Sequence, residues 1–467
     1  MSDGEFGKTR YIPSVRELVR KNLRFFLLFS AAALLLRLIF LLRFPGVVTD
    51  SFIYGDIAKN WLQHGIYGLS GPDEISPTYI RLPGYPAFLA FIFAIFGVDH
   101  YRAVLVVQTF IDLGTCFLCA AIARRLLGPR LAKVAFVLAA LCPFLADYSA
   151  AALTETLEVF FTALTLHLAL RAFERPRLRD WAGCGVACGA TILLRPDGVL
   201  LLIALEAFLL ARVVLQKRSP LPAIATGGLF QAALLVAVLP LAPWAVRNWH
   251  VFHRFQPLAP RYANEENEFV PMGFNHWVKT WIADYSSVEE IYWAVPGSEL
   301  DAGKLPLRAF DTPRQQEETA ELISDYNPVL HISPELDKRF EAIAAERIRA
   351  HHARYYLWLP LLRIADMWLR PRTEMLPSDS RWWEFNDEPR WSAMAIGMGA
   401  INLLYLLAAI AGWMRFRKTE LLGLLVLFVI LRSAFLGTLE NPEPRYTLEM
   451  YPIVIVLAAA GVARRKD

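Results

Sequence analysis

The sequence predicts an all-α polytopic membrane protein of about ten transmembrane helices, with juxtamembrane helices on its outer face. Hydrophobic residues make up 55% of the 467-residue chain and mean hydropathy is positive, more than a soluble core of this size needs. Apolar runs recur at the length of roughly 20 residues that a helix needs to cross a hydrocarbon core of about 30 Å. Arginines and lysines collect between alternate runs, as they do on the cytoplasmic side of membrane proteins.

In chain order the expected spans are Phe25 to Phe44, Ala103 to Leu127, Leu131 to Ala150 and Leu153 to Phe173. A broken pair follows, Trp181 to Leu194 and Val199 to Leu215, hinged at Arg195-Pro196-Asp197-Gly198. Leu221 to Val246, Ala393 to Trp413, Leu421 to Leu439 and Leu448 to Val462 complete the set. Lys8, Arg10, Arg16, Arg20, Lys21 and Arg24 lead into the first run without a small-residue cleavage site, so that run is expected to be an anchor with its N-terminus inside.

Two apolar stretches are too short or too interrupted to span. Ala87 to Val98 is about a dozen residues, and Tyr355 to Leu369 carries Pro360, Arg363 and Asp366 among aromatic residues. Both suit the membrane surface. Treating them so places every basic cluster on one side: Arg124, Arg125, Arg130 and Lys133; Arg171, Arg175, Arg177 and Arg179; Arg212, Lys217 and Arg218; Arg415, Arg417 and Lys418; Arg464, Arg465 and Lys466. Both termini are then cytoplasmic.

This topology divides the chain into a transmembrane module over 1–246 with a first outer loop over 45–82, an extracytoplasmic region over 247–390 with amphipathic helices, and C-terminal spans over 391–467. The cytoplasmic loops are short and basic, which leaves the chemistry to the outer face. Within the spans, Arg37 and Asp112 have opposite sign on neighbouring helices and are expected to pair.

The five cysteines, Cys116, Cys119, Cys142, Cys184 and Cys188, all fall inside apolar runs, so no disulfide framework is expected. No metal site is expected either, because Asn275-His276-Trp277, His331 and His351-His352 lack ligand pairs with an accompanying acid. The sequence implies no required cofactor and leaves a divalent metal open. Nucleic-acid recognition has no support, since the basic residues track the membrane.

The outer boundary collects a recurrent polar set. Asp50 follows the first span and, read as a helix, shares a face with Tyr54 and Ala58, while Asp56 points elsewhere. Arg81-Leu82-Pro83-Gly84-Tyr85-Pro86, Thr154-Glu155, the Arg195 hinge, Trp244-Ala245-Val246-Arg247 and Pro444-Arg445-Tyr446 come next, each at an outer helix end.

These residues resemble the GT-C membrane glycosyltransferases, in the bacterial branch related to protein O-mannosyltransferases and lipid A aminoarabinose transferase. The likeness covers most of the first 250 residues and the last 50, and leaves Trp249 to Arg390 unmatched. It implies an inverting transfer of a sugar from a polyprenyl-phosphate carrier to an acceptor hydroxyl on a lipid, glycan or protein, among membrane lipids. Asp50 matches the family's catalytic acid, and Glu155, at the Thr-Glu step, is the candidate second carboxylate. The family's acidic pair is broken here, since Ser51 follows Asp50. Glu155 is also readable as a helix N-terminal acid, favourable by about 0.3–1 kcal/mol.

A lipid-phosphate leaving group calls for guanidinium donors. Arg81, Arg247 and Arg445 are the candidates, each also readable as a headgroup-snorkelling residue. Asp56 is a further substrate-binding candidate. Tyr54, Tyr85 and Tyr446 stand either as residues packing on sugar or isoprenoid or as aromatic-belt anchors, and Arg195 with Asp197 as a hinge ion pair or a substrate contact. The competing class is a membrane transporter or lipid flippase, which places its binding residues near mid-membrane on paired broken helices. The high Ala, Leu and Arg content suggests a bacterial inner membrane.

Overall fold

The computed structural model describes residues 15–175, 177–215, 231, 235–385 and 389–462. Lys8, Arg10, Lys217, Arg218, the basic residues Arg464 to Lys466 and the first part of the Leu221 to Val246 run lie outside the described residues.

The chain is mostly helical. After α1 (Val15–Lys21), the apolar α2 (Leu23–Arg43) ends where Phe44-Pro45-Gly46 stops helical bonding. Helix α3 (Thr49–His64) follows, closed by Gly65 in the left-handed region. A short hairpin, β1 (Gly68–Ser70) and β2 (Ile75–Pro77), is the one sheet among the described residues. The short apolar α4 (Gly84–Phe96) is about 20 Å long at 1.5 Å per residue, too short to cross a bilayer.

Next come α5 (Tyr101–Leu127), α6 (Pro129–Ala140), α7 (Pro143–Ser149), α8 (Glu155–Glu174), α9 (Leu178–Leu194) and α10 (Val199–Leu215). The α6–α7 pair bends by 51°, because Pro143 has no N–H for the Ala139 carbonyl. Proline at 196 likewise breaks α9 from α10 at the expected hinge, and a single 3-10 turn, Pro196–Gly198, joins them. By length and composition, Leu23–Arg43, Tyr101–Leu127, Glu155–Glu174, Pro389–Phe416 and Pro444–Val462 can each cross a membrane, as can the bent α6–α7 pair taken as one span.

Beyond α11 (Leu241–Phe252) the chain builds a second hydrophobic core around Trp277, Trp281, Tyr326 and Phe340. Its main helices are α12 (Met272–Lys279), α13 (Pro313–Tyr326) and α14 (Pro334–Ala350), the last close to the charged helix expected at 335–352. The aromatic stretch forms a turn, Arg354–Trp358, and then α15 (Leu359–Leu369). Tyr356, Trp358, Leu361 and Leu362 are exposed there while Arg363 and Met367 are buried, the one-sided pattern of an interfacial helix.

Arg363 fastens this layer down, donating to the carbonyls of Lys279, Ile282 and Gly437. Glu440 does the same from the other side, accepting from Arg261 at 2.8 Å and lying 3.5 Å from Lys279.

The chain closes with α16 (Pro389–Phe416), α17 (Leu422–Gly437) and α18 (Tyr451–Val462). Helix α17 is apolar but, at 16 residues, shorter than the span expected over Leu421 to Leu439, because the chain turns at Thr438 before entering the polar 440–446 stretch. Helices α16 and α18 touch backbone to backbone at two glycines. A Cβ on Gly412 would collide with the Leu457 carbonyl oxygen, and one on Gly461 with that of Ala408, the close approach that small residues permit in membrane helices.

The expected intramembrane pair forms: Arg37 Nε donates to Asp112 Oδ2 at 2.5 Å, with both side chains buried. Arg37 also donates to the carbonyls of Ala139 and Ala140 at 3.3 and 2.7 Å, adding to the Cys142 N–H that reaches the Ala139 carbonyl at 3.3 Å where Pro143 cannot serve it. It therefore both neutralises Asp112 and stabilises the kink. Asp112→Asn or Arg37→Met is expected to lower stability in detergent by roughly 3–5 kcal/mol, read as a fall in thermal unfolding midpoint. The exchanged pair, Arg37→Asp with Asp112→Arg, is expected to recover only part, since an aspartate cannot reach the kink carbonyls as a donor.

Candidate active site

The α3 end of the bundle brings together residues from widely separated stretches of sequence. Helix α3 begins one residue after Val48, and Ser51, buried in its first turn, accepts the Val48 N–H at 3.0 Å. Serine in place of an acid therefore caps the helix. The Asp50 carboxylate, one-third exposed, is left to face the neighbouring helix ends.

Those ends are held close by backbone pairing. Gly46 N–H donates to the Ala150 carbonyl at 2.8 Å and Ala152 N–H to the Gly46 carbonyl at 2.7 Å. Gln108 of α5 donates to the Ala151 carbonyl at 2.6 Å. The loop after α2 is thereby tied to the turn preceding Glu155, the first residue of α8.

Arg81 Nη2 donates to Asp50 Oδ1 at 3.1 Å, and Arg445 Nη2 lies 3.6 Å from Asp50 Oδ2. The Arg445 guanidinium also approaches Glu155 Oε1 at 3.8 Å and pairs with Glu443 at 2.5 Å. Asp50, Arg445 and Glu155 are thus one contiguous set. Arg195 reaches the same Glu155 Oε1 at 3.8 Å from the hinge.

The tyrosines line this set. Tyr54 sits under the Arg81 guanidinium, 5.6 Å from ring centroid to charge, and burial pushes its hydroxyl up to about 12. Tyr85 is fully buried behind it, edge-on at 5.1 Å, and donates to Gln108 at 2.8 Å. Tyr446 donates to Glu443, with Arg195 over its ring at 4.6 Å and Arg445 at 5.4 Å.

Two candidates are not brought to this set. Asp56 accepts from the Ser70 backbone at 2.7 Å and its hydroxyl at 2.8 Å, pinning the hairpin to α3. It borders a separate open cavity of about 500 Å³ with Phe52, Lys59, Asp99 and Tyr101. Arg247 donates at 2.7 Å to the carbonyls of both Tyr67 and Thr78, and packs over Tyr67, Trp244 and Phe252. The expected Arg195–Asp197 contact is present at 3.5 Å.

Sequence reasoning missed an inner group. Arg432 of α17, 1% exposed, pairs with Asp197 at 2.9 Å and Glu449 at 2.5 Å, and Glu449 accepts from Thr162 at 2.8 Å. Glu158 lies 3.7 Å from Arg195. Both had a signal: Arg432 is a lone charge in an apolar run, and Glu158 follows Glu155 by three residues on one helix face. A second group, Asp147, Tyr148 and Glu374, lies beside the first, and its side-chain oxygens find no hydrogen-bond partner in another described residue. Burial pushes the Glu374 carboxyl above its ordinary range. Among the described residues no three His, Cys, Asp or Glu side chains are placed to hold a metal ion.

The fold and site define a helical membrane protein with an acid and guanidinium cluster at one end of its bundle. Residues 77–244 match the dolichyl-phosphate-mannose-protein mannosyltransferase family. By sequence, no curated protein matches the chain. Among solved structures, the oligosaccharyltransferase AglB of the archaeon Archaeoglobus fulgidus, in complex with an inhibitory peptide and a dolichol-phosphate, is similar with a TM-score of 0.51. It is 11% identical, over 95% of this chain and 50% of that one. The apo form of the A. fulgidus enzyme gives 0.50 at 13% identity, over 97% and 51%. The ArnT of Cupriavidus metallidurans bound to undecaprenyl phosphate gives 0.41 at 14%, over 92% and 77%. The chain spans about half the length of the oligosaccharyltransferases it matches. The likeness to the mannosyltransferase family thus lies in residues 77–244, and the helical arrangement is shared with the A. fulgidus oligosaccharyltransferase.

The Arg81 segment has one tight point. A Cβ on Gly84 would lie 2.6 Å from the Leu193 carbonyl oxygen, just before the Arg195 hinge. Gly84→Ala is expected to push the Arg81 segment and the hinge apart, with a stability loss of roughly 1–3 kcal/mol measurable by thermal unfolding.

Proposed function

We propose that the chain transfers a sugar, with inversion, from a polyprenyl-phosphate carrier to an acceptor hydroxyl on a lipid, glycan or protein. The reaction takes place at the extracytoplasmic membrane face, in a bacterial inner membrane with both termini in the cytoplasm. The observation that carries this is the convergence of Arg81 and Arg445 on the Asp50 carboxylate, at 3.1 and 3.6 Å. The family match, whose description names a dolichyl-phosphate-mannose donor, and the dolichol-phosphate named with the A. fulgidus enzyme support the carrier class.

The chemistry follows from the set. The acceptor oxygen forms a bond to the anomeric carbon as the bond from that carbon to the phosphate oxygen breaks, and the bonding pair leaves with the phosphate. The acceptor proton passes to a carboxylate on the acceptor side. Guanidiniums at the phosphate stabilise the charge that grows there.

Asp50 is the base and Glu155 its partner carboxylate. A phosphate arriving beside Asp50 competes for Arg81 and Arg445, and as it draws them off, the Asp50 oxygens are left open to accept from the acceptor hydroxyl. Tyr54 and Tyr446 present ring faces to the same space and suit the sugar or the first isoprene units, while Tyr85 braces Tyr54 from behind.

Purified wild type and Asp50→Asn are to be compared with a labelled polyprenyl-phosphate sugar. The expected result is a loss of transfer of about 10²–10⁴-fold with donor binding retained and folding intact. Undiminished transfer by Asp50→Asn would remove Asp50 as base.

A further inference from the structure

We infer that Arg195 is a third phosphate-binding guanidinium of this site, one that takes a lipid-linked phosphate together with Arg81 and Arg445. The inference rests on the donor reading above. It concerns a residue whose sequence context, an Arg-Pro-Asp-Gly hinge, reads equally as a structural ion pair.

The geometry separates Arg195 from the other guanidiniums. Arg247 is engaged by the Tyr67 and Thr78 carbonyls at 2.7 Å. Arg432 is 1% exposed and closely paired, at 2.5 and 2.9 Å. Arg195 is 22% exposed, and its three carboxylate contacts are all long: Asp197 at 3.5 Å, Glu158 at 3.7 Å and Glu155 at 3.8 Å. A formed charge-assisted hydrogen bond is about 2.7–2.9 Å. Arg195 therefore sits within Coulombic reach of its acids while its N–H groups keep bonding capacity for another anion.

Its position is held as well. The guanidinium lies 4.6 Å from the Tyr446 ring centroid, and the preceding helix ends at Arg195 in extended backbone, φ −146° and ψ 142°. Contact with an aromatic face limits the motion of the guanidinium, which favours bidentate contact with a phosphate. Arg445 shares both features: it lies over the same ring at 5.4 Å and approaches the same Glu155 Oε1 at 3.8 Å. Two guanidiniums thus converge on one oxygen without closing on it, beside the Asp50 carboxylate that Arg81 and Arg445 flank. A phosphate group fits the bonding pattern of this space.

The inner pair holds the hinge acid in place. Asp197, the acid nearest in sequence, gives its Oδ2 to Arg432 at 2.9 Å, while its Oδ1 stands 3.5 Å from Arg195 without closing on it.

The test is binding of undecaprenyl phosphate, and of the parent alcohol lacking phosphate, to wild type, Arg195→Gln, Arg195→Lys and Asp197→Asn in nanodiscs. Folding is checked by gel filtration and thermal unfolding. Arg195→Gln is expected to weaken the monophosphate by roughly 10- to 100-fold, the fold-change one charge-assisted hydrogen bond represents. The alcohol should be unaffected, and Arg195→Lys should recover part of the loss. Asp197→Asn is expected to lower the unfolding midpoint with phosphate affinity within about twofold, since it removes only the hinge anchor. Wild-type binding with undiminished binding by Arg195→Gln overturns this inference alone. So does an equal phosphate loss in Asp197→Asn, which would make Arg195 a hinge residue. No monophosphate binding by wild type overturns the donor reading and this inference with it.

Discussion

Charge neutralisation at the α3 end of the bundle is the constraint on which the remaining architecture depends. A guanidinium or carboxylate buried among apolar helices must be paired, because leaving one partner alone there costs roughly 3–5 kcal/mol. The pairing here is a chain of shared partners. Arg81 meets Asp50, Asp50 meets Arg445, Arg445 meets Glu155, Glu155 meets Arg195, Arg195 meets Asp197, and Asp197 meets Arg432 and through it Glu449. The links come from different elements, so the chain of charges fixes α3, α8, the α9–α10 hinge, α17 and the 444–450 turn against one another.

The 444–450 turn shows how the stretch after α15 is drawn into this arrangement. Arg372, fully buried, donates to the Pro444 carbonyl at 2.7 Å, to the Tyr451 hydroxyl at 2.9 Å and to Thr447, and lies 4.5 Å from the Tyr451 ring centroid. Asn402 of α16 donates to the Trp368 carbonyl at 2.7 Å and accepts from Tyr451. The stretch that follows α15 is thereby wedged between α16 and the turn that carries Arg445. Arg372 joins this stretch to the backbone next to the Arg445 guanidinium.

Much of this was legible in the sequence, because it follows from period, breakers and single charges. Pro196 marks the hinge, Arg37 and Asp112 mark their own pairing, and Asp50, Arg81, Glu155 and Arg445 fall at helix ends that the topology returns to one face. What was not legible depends on which partner a side chain takes. Arg247, like Arg445, stands near aromatic residues in the sequence, yet it faces the carbonyls of Tyr67 and Thr78 because Tyr67, Trp244 and Phe252 enclose it. Asp56 shares a helix with Asp50, yet the hairpin brings Ser70 to it. Arg372 and Glu374 sit in a stretch with no period. Only the tertiary fold places Arg372 on the turn at Pro444, and Glu374 near Asp147 and Tyr148.

The acids at this end of the bundle fall into two populations, and the difference bears on how the site divides its work. Asp50, Glu155, Glu443 and Asp197 each face at least one guanidinium. Asp147 and Glu374 lie near each other and the Tyr148 hydroxyl, without a hydrogen bond from another described residue. A buried carboxyl without a donor is costly in its charged form, which is why burial raises Glu374 above its ordinary range. The two populations adjoin at Glu155 and Tyr148, so ion-paired carboxylates lie next to carboxyls whose oxygens keep accepting capacity, with Arg370 and Arg372 in Coulombic reach of Glu374. On the proposed reading the first holds the phosphate and the base Asp50, and the second suits further hydrogen-bond donors of the acceptor that Asp50 deprotonates. Both substrates then meet at one reaction centre without a separate domain for either.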